Sequence, residues 1–302
     1  MLTALTLLTF NFWGLPDVGT LSLSLLKEER AQVLCEKIKV LSEQRKIDVI
    51  ALQEVWDRKD RKTLSDCGFD YAVDLNDGLR MIDNGLLILS RYPLAETPPL
   101  KVTYEKPAQG DLSHFDGESM ADKAVIVARF QLPDGTTFVV GDTHLISNYT
   151  HYPEYDPYEH LRNQEFKLAV DTITRFKSAP TEPAFLLGDF NTGPTVDGRK
   201  NLHWNELASQ LIYDRTKESV CTVCSENPFQ DGSNDRMDFV FSLPGAFLVL
   251  KSESRQFDRL ETLLPQVTGY LSDHYAWEAT YSIAKPPQLG QAFFQGENYE
   301  IR

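Results

Sequence analysis

The strongest constraint in this sequence lies at the ends of its apolar runs. Eight β-rich apolar stretches punctuate the chain, at residues 2–12, 49–52, 85–90, 124–130, 137–140, 184–187, 238–242 and 276–281. Runs of this kind between turn residues read as buried strands. Six of them carry a polar group suited to catalysis at one end. The first reaches Asn11, and the second reaches Gln53 and Glu54. The run through Val140 leads to Asp142 and His144, and the run through Leu187 leads to Asp189 and Asn191. Asp238 opens another, and Asp273 and His274 precede the last. Each end alone has an ordinary reading, since Asp and Asn after a strand serve as turn residues or helix caps. Repetition at six ends points instead to one shared site.

Helical spacing appears twice. Leu26, Val33, Leu34, Ile38 and Leu41 share one face of a helix expected to begin near Ser24, and Leu161, Phe166, Ala169, Ile173 and Phe176 share another. Few helices among many strands suit a layered α/β architecture rather than a βαβ repeat. Residues 1–284 read as one catalytic domain and 285–302 as a loosely attached tail. Residues 109–122 and 152–158 read as long surface loops.

Composition sets limits on partners. The 302 residues are 42% hydrophobic and 25% charged, which excludes general disorder. The formal net charge of −14 works against nucleic acid, whose binding depends on basic side chains displacing counterions. It also disfavours polybasic docking on anionic membrane. No apolar run approaches the ~20 residues of a membrane span. Residues 1–12 are apolar but lack a basic start and a small-residue cleavage site, so they read as a strand rather than a signal peptide. The expectation is a soluble protein, cytoplasmic by default, with export independent of a classical signal left open. Four cysteines, Cys35, Cys67, Cys221 and Cys224, are too few for a disulfide scaffold. Cys221 and Cys224 form a C-x-x-C without the second pair that a zinc site needs, so they read as loop or strand thiols.

Oxygen donors from Asp, Glu and Asn, without thiolates, suit a hard cation such as Mg²⁺ or Mn²⁺. Histidines beside carboxylates suit general acid–base catalysis, and the combination favours hydrolysis at phosphorus. The chain has no phosphate-binding Walker motif, kinase signature or G-x-S-x-G nucleophile elbow.

Residues 10–14 (FNFWG), 50–56 (IALQEVW), 141–145 (GDTHL), 188–191 (GDFN), 235–240 (DRMDFV) and 272–274 (SDH) stand in an order that resembles the endonuclease/exonuclease/phosphatase superfamily. Within it the chain is most similar to neutral sphingomyelinases. That similarity extends to Leu15 and Pro16 after the first motif, Asn84-Gly85-Leu86 before Ser90-Arg91-Tyr92-Pro93, Asp122-Lys123-Ala124-Val125, and residues 221–228 (CTVCSENP). Inositol-polyphosphate 5-phosphatases carry a tryptophan–cysteine pair where this chain has Ser233-Asn234. Membrane-anchored relatives have hydrophobic spans, and secreted bacterial relatives have a signal peptide and an exposed apolar hairpin; neither set is evident here.

The resemblance implies a four-layer α/β sandwich, with two mixed β-sheets face to face and helices on the outer faces. It implies a Mg²⁺-dependent phosphodiesterase (Mn²⁺ as alternative) that cleaves sphingomyelin-type phospholipid to ceramide and phosphocholine. Competing readings are a nuclease of the same superfamily, a lipid or phosphoinositide phosphatase, and an inactive interaction protein. Glu54 is the implied primary metal ligand, with Asn11 beside it and Asp273 as a further metal-side group. His274 is the implied base and Asp238 its orienting partner. Asp189 and Asn191 position water and phosphoryl oxygens, and His144 is the acid or oxyanion stabiliser. Lys123 is a phosphate contact. Tyr155, with Tyr149, Tyr152 and Tyr158, is either a cation–π cage for choline or an ordinary packed loop. The lipid partner implies peripheral membrane contact. His151 and His160 have no implied catalytic role.

Overall fold

Alternation along the strands decides the layering, because successive side chains point to opposite faces. The structure is a computed structural model that describes residues 3–16, 23–44, 46–76, 83–106, 121–147, 156–230, 233–245 and 248–283. In chain order the strands are β1 (Thr3–Asn11), β2 (Val49–Gln53), β3 (Tyr71–Val73), β4 (Leu87–Ser90), β5 (Leu100–Thr103), β6 (Ala124–Gln131), β7 (Thr137–His144), β8 (Ala184–Asp189), β9 (Thr195–Val196), β10 (Arg199–Lys200), β11 (Val223–Cys224), β12 (Asn234–Asp235), β13 (Asp238–Ser242), β14 (Leu248–Gln256), β15 (Glu261–Leu264), β16 (Val267–Gly269) and β17 (Ala276–Ile283). The helices are α1 (Lys27–Glu43), α2 (Arg58–Ser65), α3 (Glu159–Phe176) and the short α4 (Trp204–Leu207).

One sheet has the order β14-β17-β1-β2-β4-β3 and the other β13-β8-β7-β6-β5. Both are mixed. β1 runs parallel to β2 and antiparallel to β17. β8 runs parallel to β7 and antiparallel to β13. Leu5, Leu7, Val49, Ala51, Trp277 and Ala279 of the first sheet pack against Ile126, Ala128, Val140, Phe185, Leu187 and Val240 of the second. The alternate residues Leu8, Phe10, Ile50 and Leu52 face Ala31, Leu34 and Ile38 of α1 and Leu64 of α2. Val125, Val127, Val139 and Leu186 face Phe166, Ala169 and Ile173 of α3 and Trp204 of α4. Both faces of each sheet are covered, which explains why the central strands read as continuous apolar runs. The four-layer sandwich expected from the sequence is therefore the observed fold.

The elements differ from expectation mainly at their ends. α1 begins at Lys27 rather than near Ser24, because Leu26 adopts a left-handed conformation (φ 49°) that no helix can run through. β7 and β8 extend past their apolar residues to His144 and Asp189, because these two pair across the parallel ladder. Residues 109–120 and 152–155 of the two expected loops, Tyr155 among them, and the tail 285–302 lie outside the described residues. Among the described residues, no helix is long and apolar enough to cross a membrane.

The reading of Cys221 and Cys224 as thiols is overturned, and all four cysteines are paired. Cys35 is bonded to Cys67 and Cys221 to Cys224. Cys35 lies in α1 and Cys67 two residues beyond α2, so the packing of the two helices brings them together across 32 residues of sequence. Loop length makes these bonds unequal. On the chain-entropy estimate the longer loop restricts the unfolded chain by about 3–4 kcal/mol and the short one by about 2 kcal/mol. A Cys35→Ser/Cys67→Ser variant should lose stability near the larger figure in urea unfolding, and a Cys221→Ser/Cys224→Ser variant near the smaller.

Candidate active site

Strand register alone assembles most of the polar groups. The parallel β1–β2 ladder sets Asn11 opposite Gln53, and Glu54 follows immediately. The parallel β7–β8 ladder sets His144 opposite Asp189, and the antiparallel β8–β13 ladder sets Asp238 opposite Asp189. His274 stands two residues before β17, next to β1. The same edge of both sheets thus carries all of them, and the outcome matches the tendency of α/β folds to place sites at carboxyl ends of parallel strands. Gly188 makes the close approach possible. A Cβ there would lie 2.1 Å from the Thr143 carbonyl oxygen of β7. Gly14 is similarly required, since its Cβ would meet the Glu54 carbonyl oxygen at 2.6 Å.

Asn11 bridges the sheets. Its Nδ2 donates to Glu54 Oε1 and to Asp189 Oδ2, both at 2.9 Å, and its Oδ1 accepts from the Trp13 backbone N–H. Asp189 Oδ1 accepts from the Asn191 backbone N–H at 2.9 Å. The Asn191 side-chain amide donates to the Leu145 carbonyl at 2.8 Å, bracing the loop after β7. His274 Nδ1 bonds Asp238 Oδ2 at 2.8 Å, which turns Nε2 toward Asp189 Oδ2, 3.9 Å away. His144 Nε2 lies 3.6 Å from the same Asp189 oxygen and 3.9 Å from Glu54 Oε1. Lys123 Nζ sits 3.1 Å from His144 Nε2 and donates to the Leu145 carbonyl at 2.7 Å. Glu54, Trp13 and Asn191 all have positive φ (56°, 54° and 46°). Such conformations are costly for non-glycine residues and concentrate at functional sites.

The electrostatics follow from burying three carboxylates close together. Burial raises Glu54 and Asp189 above the usual carboxylate range, against the stabilising bonds from Asn11. Burial also raises Asp273, to about 6. The two imidazoles diverge. Burial would lower His274, but the carboxylates of Asp238 and Asp189 outweigh it and hold the ring well above its ordinary value. Burial, then the Lys123 and His274 charges, push His144 well below its ordinary value. The surroundings thus shift the two rings in opposite directions.

The donor set fits a hard divalent cation. Glu54 Oε2 is buried without a hydrogen-bond partner, and Glu54, His144 and Asp189 present ligand atoms within 4.8 Å of one another. Two other features lie beneath the site. Gln53 Nε2 donates to Asp142 Oδ1 at 2.6 Å in the buried layer below Glu54. The Arg30 guanidinium donates to the carbonyls of Phe12, Trp13 and Leu271 at 2.8–2.9 Å, joining the segment after β1 to the one before His274. Arg30 was not singled out from the sequence, where it reads as one more charged position on a helix. All the expected site residues except Tyr155 are described, and all of these converge here. Tyr158 lies just before α3, while Tyr149 and Tyr152 fall outside the described residues.

Comparisons with known proteins agree with the fold. The profile of the Endonuclease/Exonuclease/phosphatase family matches residues 8–274. A Drosophila melanogaster protein described as "Putative neutral sphingomyelinase" is 30% identical over 100 residues, 32% of this chain. The match spans about a fifth (20%) of that relative's length. Sphingomyelinase C from Streptomyces griseocarneus superposes with a TM-score of 0.66 at 16% identity, covering 92% of this chain and 99% of that one. A beta toxin mutant from Staphylococcus aureus with bound magnesium ions gives 0.61 at 16% identity, covering 94% and 100%. D. rerio TDP2 complexed with single strand DNA product gives 0.62 at 14% identity, covering 92% and 99%. At these identities the structural likenesses show the fold.

The carboxylate cluster makes a stability prediction with a definite sign. An acid raised in the folded state is destabilising once ionised, so its penalty is absent below the unfolded pKa and grows as pH rises through the folded one. Glu54→Gln should therefore raise Tm in EDTA at neutral pH, by about 2–4 °C per kcal/mol relieved in a large domain. The gain should vanish toward pH 4. Added Mg²⁺ should raise the Tm of the wild type and leave that of the variant unmoved.

Proposed function

Because the chain belongs to the endonuclease/exonuclease/phosphatase family, we propose that it is a divalent-cation-dependent phosphodiesterase acting on sphingomyelin-type phospholipid. The reading is carried by one observation: His274, bonded through Nδ1 to Asp238, and His144, in contact with Lys123, flank the same Asp189 oxygen. Glu54, with Asn11 and Asp273 beside it, would hold the cation, Mg²⁺ by preference and Mn²⁺ as alternative. Once bound, the cation supplies positive charge that offsets the carboxylate cluster and polarises the phosphoryl oxygens.

The protein groups then divide the work. Asp238 accepts the Nδ1–H of His274, fixing the tautomer that leaves Nε2 free to take a proton from water. The new oxygen–phosphorus bond forms as the bond to the leaving oxygen breaks, in line. Asp189 and Asn191 hold the approach of water and phosphoryl oxygens. A lipid alkoxide is a poor leaving group, and the Lys123–His144 pair supplies its proton. His144 keeps the leaving-group-side role that the resemblance implies, with Lys123 Nζ 3.1 Å from its Nε2.

The lipid class is supported by the name of the Drosophila relative and by a feature of the fold. The β15–β16 hairpin, in the segment leading to His274, exposes Leu264 and Val267, and Leu260 is exposed just before it. Exposed apolar side chains on this hairpin suit peripheral contact with a lipid surface. Two disulfides favour an oxidising compartment over the cytoplasmic location first expected.

The test is a panel of sphingomyelin in mixed micelles, plasmid DNA, RNA and phosphoinositides, with millimolar Mg²⁺ or with EDTA. Phosphocholine release should vanish in EDTA and fall about 10²–10⁴-fold in His274→Ala, the usual range for a lost general base. Metal-dependent nicking of nucleic acid with silence on lipid would keep the family chemistry and overturn the substrate. Leu264→Asp/Val267→Asp should weaken turnover of vesicle-borne sphingomyelin about tenfold, as loss of ~1.4 kcal/mol of apolar burial does. Turnover of a soluble short-chain analogue should be unchanged.

A further inference from the structure

We propose that Thr222, inside the loop closed by the Cys221–Cys224 disulfide, is a positioning residue for the Asp238–His274 pair. The need for one follows from topology. Asp238 opens β13 in one sheet, and His274 precedes β17 in the other. No β-ladder relates the two residues, so their 2.8 Å hydrogen bond depends on a segment that touches both.

Thr222 is fully buried and contacts both sides. Its Oγ1 accepts from the backbone N–H groups of Met237 and Asp238, at 3.1 and 3.2 Å. Its carbonyl accepts from the backbone N–H of Tyr275, the residue after His274, at 2.8 Å. Its own N–H donates to the Asp235 carbonyl at 2.9 Å. One residue thus fixes the backbone at Asp238 and at His274 together. The rest of the loop reinforces it. Asn227 Nδ2 donates to the Ser272 carbonyl at 2.9 Å, and Gln230 Nε2 to the Asp273 carbonyl at 3.2 Å.

The disulfide gives this contact its rigidity. It closes a ring around Thr222 and Val223. Arg255 Nη1 lies 3.5 and 3.2 Å from the two sulfur atoms, and its guanidinium sits over the Tyr275 ring at 4.7 Å. The ring is therefore packed against β14 and the start of β17. This accounts for a C-x-x-C that neither completes a zinc site nor takes part in the phosphodiester chemistry.

The kinetic arm of the test rests on the phosphodiesterase reading; the spectroscopic arm does not. Thr222→Val keeps the shape and removes the oxygen, whereas Thr222→Ser keeps the oxygen. In the full chain with Mg²⁺ and sphingomyelin micelles, Thr222→Val should lower kcat about ten- to a hundred-fold with KM nearly constant, as a small misplacement of a base does. Thr222→Ser should restore most of the rate. In ¹⁵N-labelled protein, the downfield Nδ1–H proton of His274, assigned by its loss in His274→Ala, should shift or broaden in Thr222→Val and return in Thr222→Ser. Cys221→Ser/Cys224→Ser, which opens the ring but keeps Thr222, should show the same two signatures at smaller amplitude, and it carries the test if Thr222→Val fails to fold. Wild-type kcat and an unmoved imidazole proton in a folded Thr222→Val would overturn the proposal. A wild-type result in the cysteine variant would overturn the part given to the disulfide. If no member of the substrate panel is turned over, the proton signal still decides the positioning claim.

Discussion

The site depends on one buried carboxylate. Asp189 is 1% exposed, yet it stands among two other carboxylates and two imidazoles. A buried anion is tolerated only when hydrogen bonds and opposite charge surround it. Here those partners come from both halves of the sandwich. Asn11 reaches across from the first sheet, the Asn191 backbone N–H turns back from the second, and His274 approaches from the loop before β17. The bond from Asn11 to Asp189 therefore fastens the sheets at the same point where the chemistry is placed.

That arrangement also explains why the surroundings are built as they are. The turn after β2 forces Glu54 into a left-handed conformation, and the cost is accepted because Oε1 meets Asn11 while Oε2 stays unsatisfied. Arg30, wholly buried, binds three backbone carbonyls of the segments that carry Asn11 and His274. The two histidines are driven apart in proton affinity by their surroundings: carboxylates outweigh burial at His274, while burial and then the Lys123 and His274 charges lower His144.

The eight apolar runs became strands because period-two patterning and continuous apolar stretches reflect burial directly. The polar strand ends were legible for the same reason, since a hydrophilic group on an apolar run stands out. Cys35 and Cys67 were not legible, because 32 residues of sequence hide a contact made only when α1 packs on α2. Arg30 and Thr222 were missed for a related reason. A single Arg on a helix and a Thr in a loop carry no local pattern, and their importance lies in the distant backbone groups they meet. The β15–β16 hairpin was missed because two short strands with scattered apolar residues give a weak periodic signal.

The sequence by itself determined the layers, the chemical types available at the strand ends and the preference for a hard cation, because these depend on local pattern and on side-chain chemistry. The tertiary structure alone decided which groups face one another. It set His144 opposite Asp189, drew Asn11 across the sandwich, paired the four cysteines and shifted the two imidazoles in opposite directions. Distance and burial set hydrogen bonds and proton affinities, and those quantities exist only once residues far apart in the chain have been packed together.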